Sequence, residues 1–541
     1  MTGDLLPSRM TARSGDAEPI ERGGDRRPCR PRTGAGGPRG RTLTATRLGL
    51  AAVAGALLVG TSGAVALART AAAAPPPSVV GAWSPVYAWP NIGIHLHLLP
   101  NGKVLSWDEG KRPSADSAGS VDAYVVDVPA GQPPGAAVKA PNGKTDLFCS
   151  GHTFLPDGRL FVSGGRGAGS GTGSGVADVN IFDYRTNGWT TTAGYAAQYA
   201  RWYASTLSLP TGEVLLLGGT LKTQKDRNPL PQVWQTGQGG LRDLTTALLE
   251  LNPYPRIYVA PDGRVVQVGI EPITRFLDTS GTGKWTTGPT RKFGVRLAGT
   301  SAMYAAGKVL TVGGGKYNVV PTKTAEVLDL DAPAPAWRYT APMAYARKHA
   351  NVTVLPDGKV LVTGGSGSAA FNDGAGAVLA AETWDPTTGA WTTMASMRVK
   401  RVYHSTAILL PDGRVLSAGG TAGTHGVVNN RDAEIYSPPY LFNGPRPTIT
   451  SAPASVGYGQ TFAVQSPDAA GIAKVRLVRL SSVTHSFNMN QRIEALGFNR
   501  VTGGLNVTVP SDPNRVPPGH YMLFILNGAG VPSVATIVRV G

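Results

Sequence analysis

A repeated hairpin unit constrains the possible fold of this 541-residue chain more than any other feature. Each unit is an apolar run, a tight turn that contains Gly, a second apolar run and, in most copies, a Gly-Gly pair. Asp-Gly and Asn-Gly, the most frequent turn pairs, favour two-residue hairpin turns because both central positions take positive φ. The seven copies span residues 95–107, 151–165, 203–219, 257–269, 300–315, 350–365 and 404–420.

A second strand pair follows several of these hairpins. Segments 180–191, 276–287 and 382–393 alternate polar and apolar residues around a further turn. Four strands in about 50 residues match the kelch repeat, and a single four-stranded blade cannot bury both of its faces. The pattern predicts an all-β, seven-bladed, kelch-type β-propeller over residues 75–444. Four recurring tryptophans are expected to pack between blades: Trp189, Trp285, Trp337 and Trp391.

The repeat pattern stops after Tyr436. A proline-rich linker covers residues 437–447, and short alternating strands follow it to the C-terminus. About 95 residues with several short strands and no cysteine pair predict an immunoglobulin-like (E-set) β-sandwich over residues 445–541.

Residues 1–74 have the composition of an export segment. Leu48 to Ala68 is an uncharged stretch of 21 residues, Arg41 and Arg47 precede it, and small-residue cleavage sites follow. The pattern predicts a secretory signal, and the stretch is also long enough for an uncleaved membrane anchor. We therefore expect a secreted protein, or an extracellular one held at the membrane or cell wall through this segment.

The chain carries a net charge of +17, yet no Lys/Arg cluster appears after Arg47. A scattered positive charge without a nucleic-acid motif indicates a solvated surface, so no nucleic-acid partner is expected. No pattern indicates oligomerisation, and a monomer is expected.

Of the two cysteines, Cys29 lies before the uncharged stretch Leu48–Ala68 and Cys149 lies after it. The exported chain is therefore expected to keep only Cys149. An unpaired cysteine in an oxidising compartment is a chemical liability unless it has a function. A small buried apolar side chain is the alternative interpretation.

Four further residues lie either at the start of a repeat or on a loop of the C-terminal domain. Tyr203 opens the third repeat and Tyr403-His404 opens the seventh, while Cys149 lies just before the second. The entrances of the innermost propeller strands converge at one end of the central channel, and His485 is expected on a projecting C-terminal loop. Two imidazoles and two phenolates suit tetragonal Cu(II) better than zinc. Spacing alone leaves a structural role for these residues open, as it does for the other six histidines.

Four short motifs, in order, carry a resemblance to a known family over roughly residues 80–541. They are Phe-Cys-Ser-Gly before the second repeat, Arg-x-Tyr-x-Ser opening the third, Arg-Val-Tyr-His-Ser opening the seventh and Thr-His-x-x-Asn-x-x-Gln-Arg near the C-terminus. The chain resembles the galactose oxidase/glyoxal oxidase family of copper radical oxidases, and in particular its bacterial glyoxal-oxidase branch.

The resemblance implies roles for these residues. A thioether would join the Cys149 sulfur to the Tyr203 ring, and the modified tyrosine would hold a radical and bind one copper ion. Tyr403 would be the axial ligand and the base, and His404 and His485 would be neutral nitrogen ligands. Small aldehydes or primary alcohols would be oxidised with O2, which leaves as H2O2.

Three further expectations concern the surroundings of the copper site. Galactose oxidase stacks a tryptophan on its modified tyrosine, and Leu221 occupies the corresponding position here, so Trp234 is considered as a replacement. Arg347 resembles the substrate-side arginine of the family, and the loss of the tryptophan favours small substrates over galactose. The alternative function is a non-catalytic kelch propeller that binds glycans or cell-wall polymers.

Overall fold

Seven antiparallel sheets surround the hub, in agreement with the predicted seven-bladed propeller. The computed structural model describes residues 74–541 except 115–118, 169–173 and 193–194. The predicted Leu48–Ala68 export segment lies outside the described residues. Among the described residues, no helix combines the length and apolar character needed to cross a membrane.

Each repeat hairpin supplies the two inner strands of a blade, and the next two strands complete it. In order from the hub outwards, blade 1 has His95–Leu98, Val104–Trp107, Tyr124–Val126 and Ala137–Lys139; blade 2 has Gly151–Phe154, Leu160–Ser163, Val179–Asp183 and Gly188–Thr192; blade 3 has Trp202–Ser208, Val214–Thr220, Gln232–Gln235 and Gly240–Asp243; blade 4 has Ile257–Val259, Val265–Gln267, Ile273–Asp278 and Lys284–Thr290. Blade 5 has Thr300–Ala305, Lys308–Val312, Ala325–Asp329 and Trp337–Thr340; blade 6 has Asn351–Val354, Val360–Thr363, Ala380–Trp384 and Trp391–Ser396; blade 7 has Ser405–Leu409, Val415–Gly419 and Asp432–Ser437.

The ring closes in blade 7, where the two ends of the propeller segment meet. Ala82–Trp83 and Tyr87–Ala88 pair antiparallel with Asp432–Ser437, with Trp83 opposite Tyr436. Closure of this kind removes exposed sheet edges around the ring.

Burial falls from the hub outwards within each blade. The inner strand Gly151–Phe154 is wholly buried, whereas the outer strand Trp391–Ser396 is mostly part-exposed. Neighbouring blades cover both faces of the inner strands, so these strands are continuously buried and do not alternate.

The four recurring tryptophans join neighbouring blades, as predicted. The indole N–H groups of Trp189, Trp285 and Trp391 each donate to a carbonyl beside the preceding blade, and that of Trp337 donates to the Thr274 hydroxyl of blade 4.

Short helices are confined to Pro77–Val80 and to the 3-10 turns Ala197–Tyr199, Gly374–Gly376, Pro439–Phe442 and Ala469–Gly471 within the described part of the chain.

The C-terminal strands form the predicted sandwich. Its strands are Ser455–Val456, Thr461–Gln465, Ile472–Arg479, Ile493–Val501, Gly504–Thr508, Gly519–Asn527 and Thr536–Val540. The long strand Ile493–Val501 pairs with one sheet at its start and with the other at its end, and a separate apolar core lies between them. The boundaries expected at residues 74/75 and 444/445 stay predictions.

One hairpin leaves the sandwich and joins the propeller. Ser482–Thr484 pairs with Phe487–Asn488 and also lies antiparallel to the inner strand of blade 1, with Thr484 opposite His95 and Ser482 opposite His97. This hairpin extends the blade 1 sheet to six strands and carries residue 485 into the hub.

Two glycines of repeat 6 both have left-handed backbone, but only one of them also lacks space for a side chain. Gly358, in the turn, has φ +96° and open space where a Cβ would point, whereas Gly364 has φ +65° and would place a Cβ 2.6 Å from the Arg401 carbonyl oxygen. We expect Gly358→Ala to lower the free energy of unfolding by about 1–3 kcal/mol, the cost of left-handed strain. Gly364→Ala should cost clearly more in urea unfolding, and equal losses for the two variants would contradict this packing.

Candidate metal centre

Every blade has a residue with left-handed backbone where its inner strand begins. The φ values of these seven residues lie between 50° and 67°. They are Gly93, Cys149, Tyr203, Tyr254, Ala298, His349 and His404. Six of the seven are not glycine, although L side chains rarely adopt this conformation. Such strain persists only where the surrounding structure enforces it, and it is a recognised feature of functional sites.

Backbone hydrogen bonds link five of these positions to a neighbour. The Tyr203 N–H donates to the Cys149 carbonyl at 2.9 Å, and the Tyr254 N–H donates to the Tyr203 carbonyl at 2.8 Å. On the far side of the hub, the His349 N–H donates to the Ala298 carbonyl at 2.8 Å. The kinked backbones of neighbouring blades therefore hold one another in place.

His485 lies at the tip of the C-terminal hairpin that enters the hub. His485 and Ser486 both have positive φ, 47° and 62°, as the two central positions of a type I′ hairpin turn require. The tip is held by blades 4 and 5, because Arg256 donates to the His485 carbonyl and Thr300 donates to the Ser486 carbonyl. The sequence-based expectation of a projecting loop at His485 agrees with this position.

The structure brings together all five residues that the sequence analysis singled out at the hub. The Cys149 sulfur is 3.4 Å from His485 Nε2, and the hydroxyl oxygens of Tyr203 and Tyr403 are 2.5 Å apart. The thiol is also close enough to the Tyr203 hydroxyl for the two groups to affect each other's pKa. Cys149, His404 and His485 present their ligand atoms within 4.8 Å of one another. All five residues are buried.

Two threonines orient the imidazoles. Thr484 Oγ1 donates to the Ile94 carbonyl and lies 2.6 Å from His485 Nδ1, so the His485 Nδ1–H donates to Thr484 and the lone pair is on Nε2. His404 Nδ1 lies 2.9 Å from the Thr421 hydroxyl, and its Nε2 is buried without a hydrogen-bond partner. Fixing Nδ1 in this way is how proteins orient metal-binding histidines.

Burial favours the neutral forms of Cys149, Tyr203, His404 and His485. Desolvation raises the pKa of the Cys149 thiol and of the Tyr203 phenol well above their ordinary values. Desolvation also lowers the pKa of His404 to about 3 and that of His485 well below 6.5. The imidazoles therefore offer lone pairs at neutral pH, while the Tyr203 phenol needs a nearby cation before it ionises.

The donor set fits a copper ion. Two neutral imidazoles and two phenol oxygens converge, and the unpartnered Nε2 of His404 has the lone pair that a metal would take up. Nitrogen and oxygen donors of this kind suit Cu(II). His404, His485, Tyr203 and Tyr403 are the residues that would hold it.

Arg347 does not reach this site, which corrects the expectation of a substrate-side arginine. Its side chain is fully buried inside blade 6, where it donates to the Gly364 and Ala380 carbonyls and pairs with the buried Glu382. Its equivalents in other blades make the same bond to the first Gly-Gly carbonyl: Arg201 to Gly218, Arg296 to Gly313 and Arg401 to Gly419. The arginine thus belongs to the framework of each blade.

Trp234 does not shield Tyr203 either. It packs against Phe161, with ring centroids 5.5 Å apart, in a core cluster that does not include Tyr203. Trp202, the residue before Tyr203, meets the phenol ring edge to face at 4.4 Å, and Tyr254 meets it at 5.0 Å. Neither contact was expected, and the Leu221 position does not account for them.

His349 and Phe371 are functional candidates that sequence reasoning missed. Their rings lie 5.0 Å and 4.8 Å from the Tyr403 ring and 4.5 Å from each other, and His349 Nε2 is buried without a partner. A signal for His349 was available, because it follows Arg347 by two residues, as Tyr203 follows Arg201. Phe371 lies in a loop outside the repeat, where no spacing marks it.

Three further histidines form a buried network beside the site. His95 Nε2 accepts from the Cys149 N–H at 3.1 Å, so the His95 proton is on Nδ1 and donates to His152 Nε2 at 3.0 Å. His152 Nδ1 and His97 Nδ1 both contact the Ser482 hydroxyl, at 2.6 Å and 2.9 Å. His95 and His97 thus share one strand face, as the sequence indicated, and the network links blades 1 and 2 to the C-terminal hairpin.

Family models match two segments of the chain. Residues 446–540 match the galactose oxidase-like, Early set domain, and residues 291–440 match the glyoxal oxidase N-terminus. A galactose oxidase of Gibberella zeae is 28% identical over 86% of this chain and 71% of its own length. The aldehyde oxidase GLOX of Vitis pseudoreticulata is 27% identical over 73% of this chain and 82% of its own length.

A solved structure extends this likeness to the fold. A fungal alcohol oxidase of the AA5 family, in complex with copper, superposes with a TM-score of 0.77 at 28% identity and covers 85% of this chain and 99% of its own. The chain belongs to the galactose oxidase/glyoxal oxidase family of copper radical oxidases, and it is an enzyme of that class.

The buried position of Arg347 predicts a loss of stability on its removal. In Arg347→Met the Glu382 carboxylate stays buried without its cation, and we expect the free energy of unfolding to fall by about 3–5 kcal/mol in urea titrations. The control Arg159→Met removes a part-exposed pair with Asp157 and should cost about 0–1 kcal/mol. An Arg347→Met variant with unchanged stability and a raised KM would restore the substrate role.

The neutral buried histidines also predict how the stability of the metal-free protein depends on pH. The pKa of His152 is about 3 in the folded state, against about 6.5 when unfolded. Below about 6.5 the unfolded chain binds a proton that the folded one does not, so each such histidine lowers the free energy of unfolding by about 1.4 kcal/mol per pH unit. Urea titrations at about pH 7.5 and 5.5 measure this, and equal stability at both would contradict it.

Proposed function

We propose that this chain is an extracellular copper radical oxidase that oxidises small aldehydes or primary alcohols with O2 and produces H2O2. The observation that carries the proposal is the meeting of one thiol, two phenols and two oriented imidazoles at one end of the hub. The copper-bound alcohol oxidase and the aldehyde oxidase among its relatives support the substrate class.

The cofactor would be a thioether between the Cys149 sulfur and a Tyr203 ring carbon next to the hydroxyl. The closeness of this thiol to the Tyr203 side chain supports the geometry: the two groups affect each other's pKa, and the two residues lie at the starts of neighbouring blades joined by a 2.9 Å backbone hydrogen bond. Forming the bond removes the S–H and one ring C–H hydrogen. Two electrons and two protons leave, and O2 accepts them.

Each protein group then has a defined task in the reaction. Tyr403 accepts the proton of the substrate hydroxyl, and the Tyr203 radical removes a hydrogen atom from the adjacent carbon. The two histidines stay neutral throughout, because burial disfavours their protonation. Copper, when bound, would supply Lewis acidity toward the substrate oxygen and accept the second electron.

The surroundings of Tyr403 support small substrates. His349 and Phe371 pack on one side of the Tyr403 ring, and Phe148 meets His404 at 5.5 Å. Aromatic rings packed around the phenol that would face the substrate favour a short carbon chain over a bulky sugar. A primary alcohol and the hydrate of an aldehyde present the same O–H and C–H bonds to this wall.

A non-catalytic, glycan-binding propeller does not require these features. Surface recognition does not need a buried thiol beside a phenol, or two imidazoles held in place by threonines inside the hub. Secretion fits the cysteine content, since Cys149 would be consumed by the cross-link and no free thiol would remain after export.

Intact mass tests the cofactor directly. The copper-loaded, aerated protein should be lighter by about 2 Da than the metal-free protein, because two hydrogens leave. After denaturation the full chain should then carry one alkylatable thiol, Cys29, instead of two. The matched controls are Cys29→Ser, which should keep the mass change, and Cys149→Ser, which should lose it while staying folded. Two alkylatable thiols after copper loading would refute the cross-link.

A substrate panel read by peroxide release tests the reaction. Short aldehydes and primary alcohols should yield H2O2 with the cross-linked protein and none with Cys149→Ser. A protein that forms the cross-link but oxidises neither aldehydes nor primary alcohols would refute the proposed substrates. The proposed cofactor would not be affected by that result.

A further inference from the structure

A line of aromatic rings runs from the candidate site toward the surface of blade 2. The Cys149 N–H donates to His95 Nε2, and the His95 ring stacks on Trp107 with centroids 4.9 Å apart and planes 14° apart. Trp107 meets Trp189 edge to face, with centroids 6.0 Å apart. Trp189 lies in the outermost strand of blade 2.

The two ends of this line differ in exposure. His95 and Trp107 have no exposed surface, and Cys149 has none either. Trp189 is part-exposed and lines a surface groove of about 570 Å³ together with Asn142, Lys144 and other residues. The line therefore connects the fully buried Cys149 with a tryptophan at the protein surface.

Hydrogen bonds hold both indoles in position. The Trp107 N–H donates to the Leu147 carbonyl at 3.3 Å, and the Trp189 N–H donates to the Ala140 carbonyl at 2.8 Å. A carbonyl oxygen on the indole N–H stabilises the positive charge of an indole that has lost an electron. Tryptophan is among the most easily oxidised side chains, so the pair can serve as a relay.

Corresponding tryptophans elsewhere in the ring lack this connection. Trp285 and Trp391 lie in the outermost strands of blades 4 and 6, and each donates to a carbonyl beside the preceding blade as Trp189 does. Among the described residues, no ring contact joins either of them to an aromatic residue nearer the hub. The interblade role is therefore common to the three tryptophans, and the line to the hub distinguishes Trp189.

We propose that Trp107 and Trp189, coupled through His95, carry single electrons between the Cys149–Tyr203 cofactor and an oxidant in the surface groove. This inference rests on the proposed function. The cross-linked Tyr203 phenolate loses one electron and becomes the radical, and Trp189 passes that electron to an outer-sphere, one-electron oxidant such as hexacyanoferrate(III). The oxidant is reduced by one electron, and no atom or proton is transferred.

Stopped-flow mixing with hexacyanoferrate(III) tests the route. The protein is copper-loaded, cross-linked and in its non-radical form, and the radical is followed by absorbance and electron paramagnetic resonance. Trp189→Phe should slow radical formation by about tenfold or more, which corresponds to about 1.4 kcal/mol in activation free energy. The matched control Trp285→Phe removes an equivalent interblade tryptophan and should leave the rate unchanged. Equal rates for the two variants would overturn the proposal.

Two further measurements keep the test decisive if Trp189→Phe unfolds. Lys144→Glu should slow oxidation by the anionic hexacyanoferrate(III), because Lys144 lines the groove, and the effect should be smaller at high salt. The control Lys222→Glu changes an exposed lysine outside the groove and should leave the rate unchanged.

The second measurement is the position of oxidative damage. During prolonged oxidation without substrate, oxygen-containing tryptophan products should form at Trp189 earlier than at Trp285. Equal effects of the lysine variants, or equal damage at the two tryptophans, would count against the route. A wild-type protein that shows neither the mass loss nor a radical signal would instead refute the proposed function.

Discussion

The ring of left-handed residues is the constraint on which the rest of the structure depends. Six of the seven blades carry about 1–3 kcal/mol of backbone strain at the start of the inner strand, where a residue other than glycine is left-handed. The neighbouring blades hold the strained residue with backbone hydrogen bonds, as between Cys149, Tyr203 and Tyr254. These bonds form between neighbouring blades, so they depend on the ring that keeps the blades side by side. The pairing of Ala82–Trp83 with the strand Asp432–Ser437 is therefore a condition for the site as well as for the fold.

The C-terminal domain completes the site from the other direction. Its hairpin pairs with blade 1 along Ser482–Thr484 and presents His485 at a tip that blades 4 and 5 hold from both sides. The imidazole orientation comes from Thr484, whose own hydroxyl bonds to the Ile94 carbonyl beside blade 1. Neither domain contains the whole donor set, so the site exists only when both are folded and joined.

The parts of the structure that follow a repeat could be predicted, and the parts that depend on the hub could not. Seven Gly-containing turns predicted seven blades, and the entrance positions of Tyr203 and His404 followed from their places in the repeats. Arg347 was misassigned because its bonds to Gly364 and Glu382 are formed within a blade, which local sequence does not reveal. The contact of Phe371 with Tyr403 brings a loop of blade 6 to the start of blade 7, which no repeat spacing encodes. Trp202 precedes Tyr203 directly, but the sequence does not give the edge-to-face orientation of the two rings.

Burial explains why the donor groups stay neutral until a cation binds. Desolvation favours the neutral thiol, the neutral phenol and the neutral imidazole alike, because each charged form would lose its hydration inside the hub. A divalent metal reverses this preference for the phenols only, since the imidazoles bind as neutral ligands. Metal binding must then release phenol protons, and affinity must rise with pH. In the proposed function, copper binding would therefore come before cross-linking and radical formation, because an ionised Tyr203 phenol loses an electron more readily than a neutral one.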